Sequence, residues 1–208
     1  TNTSFTKSIN DLVDDKVFGV ARGANPLLPV SDEHLFLAWG NNWDINSENP
    51  IKSLTLDKNT YKSRTFSANY LNINPIEGLN IRTSFSVDLI DQQYYEYTPS
   101  NIQQAIRNSF RGIAVHNLDQ AFNYQWDNSV SYDKTIGKHF FTGLFSTSLS
   151  KNMFKYTNVT AQNFPTDDFG YYNLGAAFGK ETFSLGSNQT TSTLMSYLGR
   201  LNYSYNGK

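Results

Sequence analysis

Residues 79–90 alternate with almost no fault. Leu79, Ile81, Thr83, Phe85, Val87 and Leu89 form one row, and Asn80, Arg82, Ser84, Ser86 and Asp88 the other; only Ile90 breaks the polar row. A period of two sustained this long is that of an extended chain with one apolar and one wet face. Tyr94, Tyr95 and Tyr97 follow. Aromatics at the end of an apolar run suit a membrane interface, where the ring is apolar and the hydroxyl wet.

The rhythm recurs. Phe66, Ala68 and Tyr70 alternate with Thr65, Ser67 and Asn69, and residues 72–78, with Asn, Pro and Gly, read as a short turn between two strands. Phe122, Tyr124, Trp126, Val130 and Tyr132 alternate with Asn123, Gln125, Asp127, Ser129 and Ser131, and a turn follows around Gly137. Phe141, Gly143, Phe145, Thr147 and Leu149 form a weaker row; Tyr197, Gly199, Leu201, Tyr203 and Tyr205 form another. Asn206-Gly207 is again a turn signal, with no returning strand after it.

Connections differ in length. Short turns are expected at 72–78 and 133–138, and long connections at about 98–118 and 155–191. Residues 1–62 read as a long, extracellular loop with a short helix after Ser31, and residues 63–208 as strands and loops of one larger barrel domain. Short turns at one end and long loops at the other are the habit of outer-membrane barrels. Alternation alone does not choose between such a barrel and a soluble β-sandwich. Strand length, aromatic strand ends and loop asymmetry favour the barrel.

Composition removes other classes. Lys and Arg number 17 and Asp and Glu 18, with no basic block, so nucleic acid is not an expected partner. Cysteine is absent, which removes disulfides and thiolate-bound metals. The longest apolar patch, at 35–39, falls far short of the roughly 20 residues of a membrane helix. A mean hydropathy of −0.50 still suits a barrel, where only alternate residues meet lipid. The 15 Phe and 13 Tyr, with many Asn, Ser and Thr, fit strand-rich structure. The first residues, Thr1-Asn2-Thr3-Ser4, show neither the basic start nor the apolar core of a signal peptide, and the chain reads as a piece of a longer protein.

On these residues the sequence resembles the SusC/RagA-type TonB-linked outer-membrane transporters of Bacteroidetes. The resemblance is carried by Asn49-Pro50, Arg64, Tyr70, Glu77-Gly78-Leu79, residues 84–88 and Tyr97-Thr98-Pro99-Ser100. It continues through residues 126–139, 163–168 and 194–205, in order. It implies an all-β, antiparallel up-and-down transmembrane barrel segment, roughly five or six strands of a barrel of about 22. It also implies TonB as energy source through other parts of the protein, a SusD-like surface lipoprotein as partner, and import of oligosaccharide more than peptide. Phe85, Val87, Tyr94, Tyr95, Tyr97, Tyr124, Trp126, Leu201 and Tyr203 would face lipid or form the girdle, and Arg82, Asp88, Asp127 and Arg200 the lumen.

Chemistry-bearing constellations are few. His34, His116 and His139 lie far apart, with no metal spacing, and no cofactor is expected. His139, beside Gly137-Lys138, reads as a solvated turn residue. Asp167-Asp168 is a weak Ca²⁺ candidate, and a capped turn explains it more simply. Trp39 and Trp43, around Gly40-Asn41-Asn42, could stack on a sugar, although loop packing explains them too. A β-sandwich binding glycans through these Trp and the Tyr residues is one competing reading. A hydrolase using Asp167 or Asp168 is another, without an acid/base partner of defined spacing.

Overall fold

Each alternating stretch folds as a strand, because branched and aromatic side chains fit a pleated surface and pairing satisfies the backbone. The computed structural model describes residues 1–11, 17–23, 54–178 and 183–207. Six strands form one antiparallel sheet in chain order: β1 (Asn2–Asp11), β2 (Asp57–Ile73), β3 (Leu79–Thr98), β4 (Ile113–Ile136), β5 (His139–Gln162) and β6 (Phe183–Tyr205). Among the described residues the connections carry two short α-helices, α1 (Val17–Gly23) and α2 (Gln103–Arg107). This is the up-and-down wall that the resemblance implies. The sandwich alternative is overturned: among the described residues no second sheet covers the first, and Leu201 is 89% exposed.

The connections sort by end. Ile73 pairs with Ile81 and Ile136 with His139, so the β2–β3 and β4–β5 turns share one edge. In the two-residue β4–β5 turn, Gly137 has φ +62°, the left-handed backbone that a tight hairpin demands. Asp11 pairs with Asn59, Thr98 with Ile113 and Ala161 with Phe183, so the three long connections leave the opposite edge.

Three expectations need correction. Residues 1–62 are not loop throughout: 2–11 form β1 and β2 begins at Asp57. Only Phe5 and Ile9 mark β1 as apolar, and ten paired residues against β2 hold it extended. The long connections are also shorter than expected, at 99–112 and 163–182, because β3, β4 and β5 run on past their apolar stretches. Lastly, Phe66, Ala68 and Tyr70 lie across from Asp88, Ser86 and Ser84, so they share a face with polar residues of β3. The rings there carry cations: Arg64 sits 5.9 Å over Phe66 and Arg82 5.0 Å over Tyr70. The helix expected after Ser31 lies outside the described residues.

Candidate functional site

The register gives the sheet two faces. On one, Leu79, Ile81, Phe85, Val87 and Leu89 of β3 meet Tyr132, Val130, Trp126, Tyr124 and Phe122 of β4. The same face continues through Phe145 and Leu149 of β5 to Met195, Tyr197, Leu201 and Tyr203 of β6. Many of these side chains are open: Phe85 is 45% exposed, Trp126 47% and Tyr197 65%. The apolar row crosses the strands obliquely. Leu89 and Phe122 are paired at its upper limit on β3 and β4; on β6 it stops four residues lower, at Met195, and on β5 Lys151 separates Leu149 from Met153.

Polar groups inside this band satisfy one another. Trp126 Nε1 donates to Thr83 Oγ1 at 3.0 Å, and that hydroxyl donates to Asn128 Oδ1 at 2.7 Å. Asn69 donates to Ser67 Oγ, which also lies 3.0 Å from Thr3 Oγ1. Polar groups that cannot reach water need such partners.

At the short-turn edge of this face stands an aromatic group that the turn reading of His139 did not foresee. His139 stacks on Phe141 and Tyr203, and its Nδ1 is 2.8 Å from the Tyr203 hydroxyl. The signal was present as period-two spacing, His139, Phe141 and Tyr203, Tyr205 being paired neighbours.

The opposite face collects the polar candidates. Arg82, Asp88, Asp127 and Arg200 all project there by register. Asp88 takes two hydrogen bonds from Arg64, at 2.7 and 2.8 Å. Asp127 accepts from Ser148 and Gln125, and Arg200 donates to Asn202. Tyr94 also lies on this polar face, where it donates to Glu96, so it cannot belong to the same row as Tyr95 and Tyr97.

Beyond the band, the apolar face changes character. A polar row, in which Gln93 and Gln120 donate to Asp91, closes it. Above that row the long connections fold down over the face. Phe164 and Tyr171 of the β5–β6 connection bury against Tyr97, Ala114 and Ala161. Asp167 ties two connections together: its carboxylate accepts from the Tyr97 hydroxyl at 2.8 Å and from Ser100 N and Oγ at 3.0 and 2.7 Å. Gly112, at φ +79°, has to be glycine because a Cβ there would run into the Tyr97 hydroxyl. Thr166 caps this turn, its Oγ1 accepting from the Asp168 backbone N–H and donating to the Asp168 carboxylate. The carboxylates proposed for Ca²⁺ or for hydrolysis are thus engaged in holding loops, Asp167 by both oxygens.

Beside this core lies an aromatic cleft of about 370 Å³, lined by Tyr61, Gln93, Tyr95, His116, Tyr171 and Tyr172. Tyr95 and Tyr171 stack with centroids 5.3 Å apart, and His116 meets Tyr95 edge-on at 4.7 Å. His116 Nε2 is 2.7 Å from the Tyr171 carbonyl, and Asn59 donates to the Tyr171 hydroxyl. Burial, then the Tyr172 hydroxyl, raises the Tyr171 pKa above that of a free tyrosine. Tyr95 and His116 are cross-strand partners 21 residues apart, and Tyr171 arrives from a loop, so no local motif announces the cleft. Trp39 and Trp43 lie outside the described residues.

Comparison with known proteins agrees with this architecture. No family model matches the chain. In Formosa agariphila, TonB-dependent receptor P39 is 25% identical over 164 residues, and TonB-dependent receptors P26 and P3 are 26% and 27% identical over 162. Each alignment covers 77% of this chain but only 15–16% of the relative, so the chain spans about one sixth of their length. Among solved structures, that of the RagAB peptide transporter superposes with a TM-score of 0.67 at 16% identity, covering 76% of this chain and 18% of that one. The 'open-open' state of the RagAB peptide importer gives 0.66. The fold is that of a stretch of antiparallel barrel wall, as in the RagAB peptide transporter structure. The resemblance read from the sequence is met by both the curated relatives and the fold. Those relatives are receptors and transporters rather than enzymes.

Proposed function

We propose that this wall belongs to an outer-membrane transporter, with its apolar face against lipid and its polar face toward the lumen. One observation carries the reading: a slanted apolar band, uncovered by the chain itself, of membrane height. Leu79 to Leu89 is roughly 33 Å of strand. At a tilt of about 45° this is roughly 24 Å of height, close to the apolar girdle of outer-membrane barrels. The oblique course of the band is the stagger that tilted strands need. Mutually bonded polar groups within it support the same immersion.

By resemblance to the SusC/RagA type, the transporter imports a large nutrient, oligosaccharide more often than peptide, the latter being the cargo named for the superposing RagAB structures. A SusD-like lipoprotein assists at the extracellular side, and TonB supplies energy through other parts of the protein. Arg82, Asp88, Asp127 and Arg200 then line the lumen, and no catalysis is assigned to this wall. Fractionation of cells with detergent extraction tests the placement: the parent protein is expected in the outer membrane as a heat-modifiable barrel, and recovery as soluble protein would overturn it. Binding of oligosaccharides and peptides to the intact transporter, purified with its lipoprotein, tests the cargo. Retention of peptide alone would overturn the oligosaccharide assignment, and absence of a co-purifying lipoprotein the partner.

A further inference from the structure

We infer that the cleft of Tyr61, Tyr95, His116, Tyr171 and Tyr172 binds the saccharide of an outer-leaflet glycolipid, an inference that rests on the transmembrane reading above. The walls are aromatic, with Tyr171 4% exposed and fixed in place while Tyr172 stands 80% exposed at the rim. Rigid aromatic faces with hydroxyl, imidazole and amide groups at their edges suit a sugar ring, whose flat C–H side packs on the ring while its hydroxyls bond around it. None of the six lining residues is a carboxylate, Lys or Arg, which suits a neutral sugar better than a phosphate. The nearby Asp57 and Asp91 carboxylates accept from Asn59, Gln93 and Gln120.

Position selects the source of the sugar. Tyr61, Tyr95 and His116 share the register face of Phe85 and Trp126, so the cleft opens outside the barrel. Cargo destined for the lumen would be on the wrong side of the wall there. Tyr95 lies six residues above Leu89, roughly 20 Å of strand. At a tilt of about 45° that is roughly 14 Å above the hydrocarbon. The polar layer of a bilayer adds only about 5–8 Å on each side. A phospholipid headgroup stops short of the cleft, whereas a glycolipid sugar chain anchored in the same leaflet passes it.

The test uses the intact transporter with its lipoprotein, carrying Tyr61→Ser and Tyr172→Ala, and three probes. They are vesicles containing a glycolipid with its saccharide, vesicles of phospholipid alone, and a free neutral oligosaccharide. The double substitution is expected to weaken retention of the glycolipid about tenfold, as loss of aromatic contacts of ordinary strength would. Phospholipid retention is expected to stay unchanged, and free oligosaccharide to compete weakly. Equal glycolipid retention by both proteins overturns the inference. So does a free oligosaccharide that binds the cleft as tightly as the glycolipid, which would make it a cargo site. Tyr172→Ala alone guards against misfolding, because its side chain is mostly in solvent. A parent protein found soluble would overturn the transmembrane reading, whereas a membrane-embedded parent with unchanged retention would overturn this inference alone.

Discussion

One face of the sheet lives in two environments. Between Leu79 and Leu89 its side chains find no cover from the chain, whereas from Tyr95 upward the same row is roofed by residues 163–178. A polar row at Asp91, Gln93 and Gln120 marks the boundary, and above it the cover comes from the chain. Among the described residues, the buried aromatic and aliphatic side chains on the strands, Tyr97, Ile113, Ala114 and Ala161, all lie at this upper end. Lipid can accept the lower zone without any loop. Water cannot accept the upper one, so the protein supplies its own lid. The two zones therefore respond to opposite insults: loss of packing above, gain of polarity below.

The largest effect is expected where the lid is densest. Phe164 is 1% exposed and edge-on to Tyr97. Phe164→Ala should cost about 3–5 kcal/mol of local stability, transfer and cavity together. Limited proteolysis and amide exchange of the intact protein should report residues 163–178 opening while β3–β5 stay protected. Strands that lose protection together with the loop would mean that the two zones are one cooperative unit.

The lower zone is tested by neighbours. Phe85 and Ser86 are adjacent but point to opposite faces, and Phe85 is paired with Trp126 near the middle of the band. Phe85→Arg should cost about 2–4 kcal/mol, the price of a cation near the bilayer midplane. Ser86→Arg, on the polar face, should cost about 0.5 kcal/mol or less. Folding titrations into vesicles, or the heat-modifiable fraction in cells, would measure both. Equal costs would remove the distinction between the faces.

These contrasts also explain what could be read before folding. β3 was legible because each face is nearly pure in polarity. β1 was not, since Phe5 and Ile9 sit among Ser, Thr and Lys and the strand is defined by its partner. The phase of β2 failed because local alternation cannot show which face a partner presents. There the rings of Phe66 and Tyr70 serve as shelves for Arg64 and Arg82 on the polar side. The family resemblance was legible along the chain, but the cleft was not. Its rings come from three strands and a loop, and only register brings them together.

A smaller effect is expected at the tie between the connections. Asp167→Ala leaves the Tyr97 hydroxyl and the Ser100 amide without their acceptor. The cost should be about 1.5–3 kcal/mol, since these bonds go to a charged group and one donor is buried. Asp167→Asn should recover part of it, because the amide oxygen still accepts. Added Ca²⁺ should not raise the melting temperature of the wild-type protein if the carboxylate is a loop tie. A Ca²⁺-dependent rise lost in Asp167→Ala would restore the metal reading.

The smallest effect near neutrality concerns pH. The Tyr171 hydroxyl titrates above its ordinary value of 10.0, first because it is buried and then because Tyr172 bonds to it. Protonated tyrosine is therefore favoured in the folded lid. Its stabilising share is complete below about pH 10, where the unfolded chain titrates. It disappears as pH rises from there through the higher folded value. Protease sensitivity of residues 163–178 should accordingly climb in strong alkali, above about pH 10. Tyr171→Phe should lessen that alkaline rise while keeping the stack on Tyr95. Within the uncovered band the bonded trio of the Trp126 indole, Thr83 and Asn128 offers no counterpart, since none of the three ionises in this range. An alkaline transition shared by both zones would mean that the lid is held by the wall beneath it rather than by its own packing.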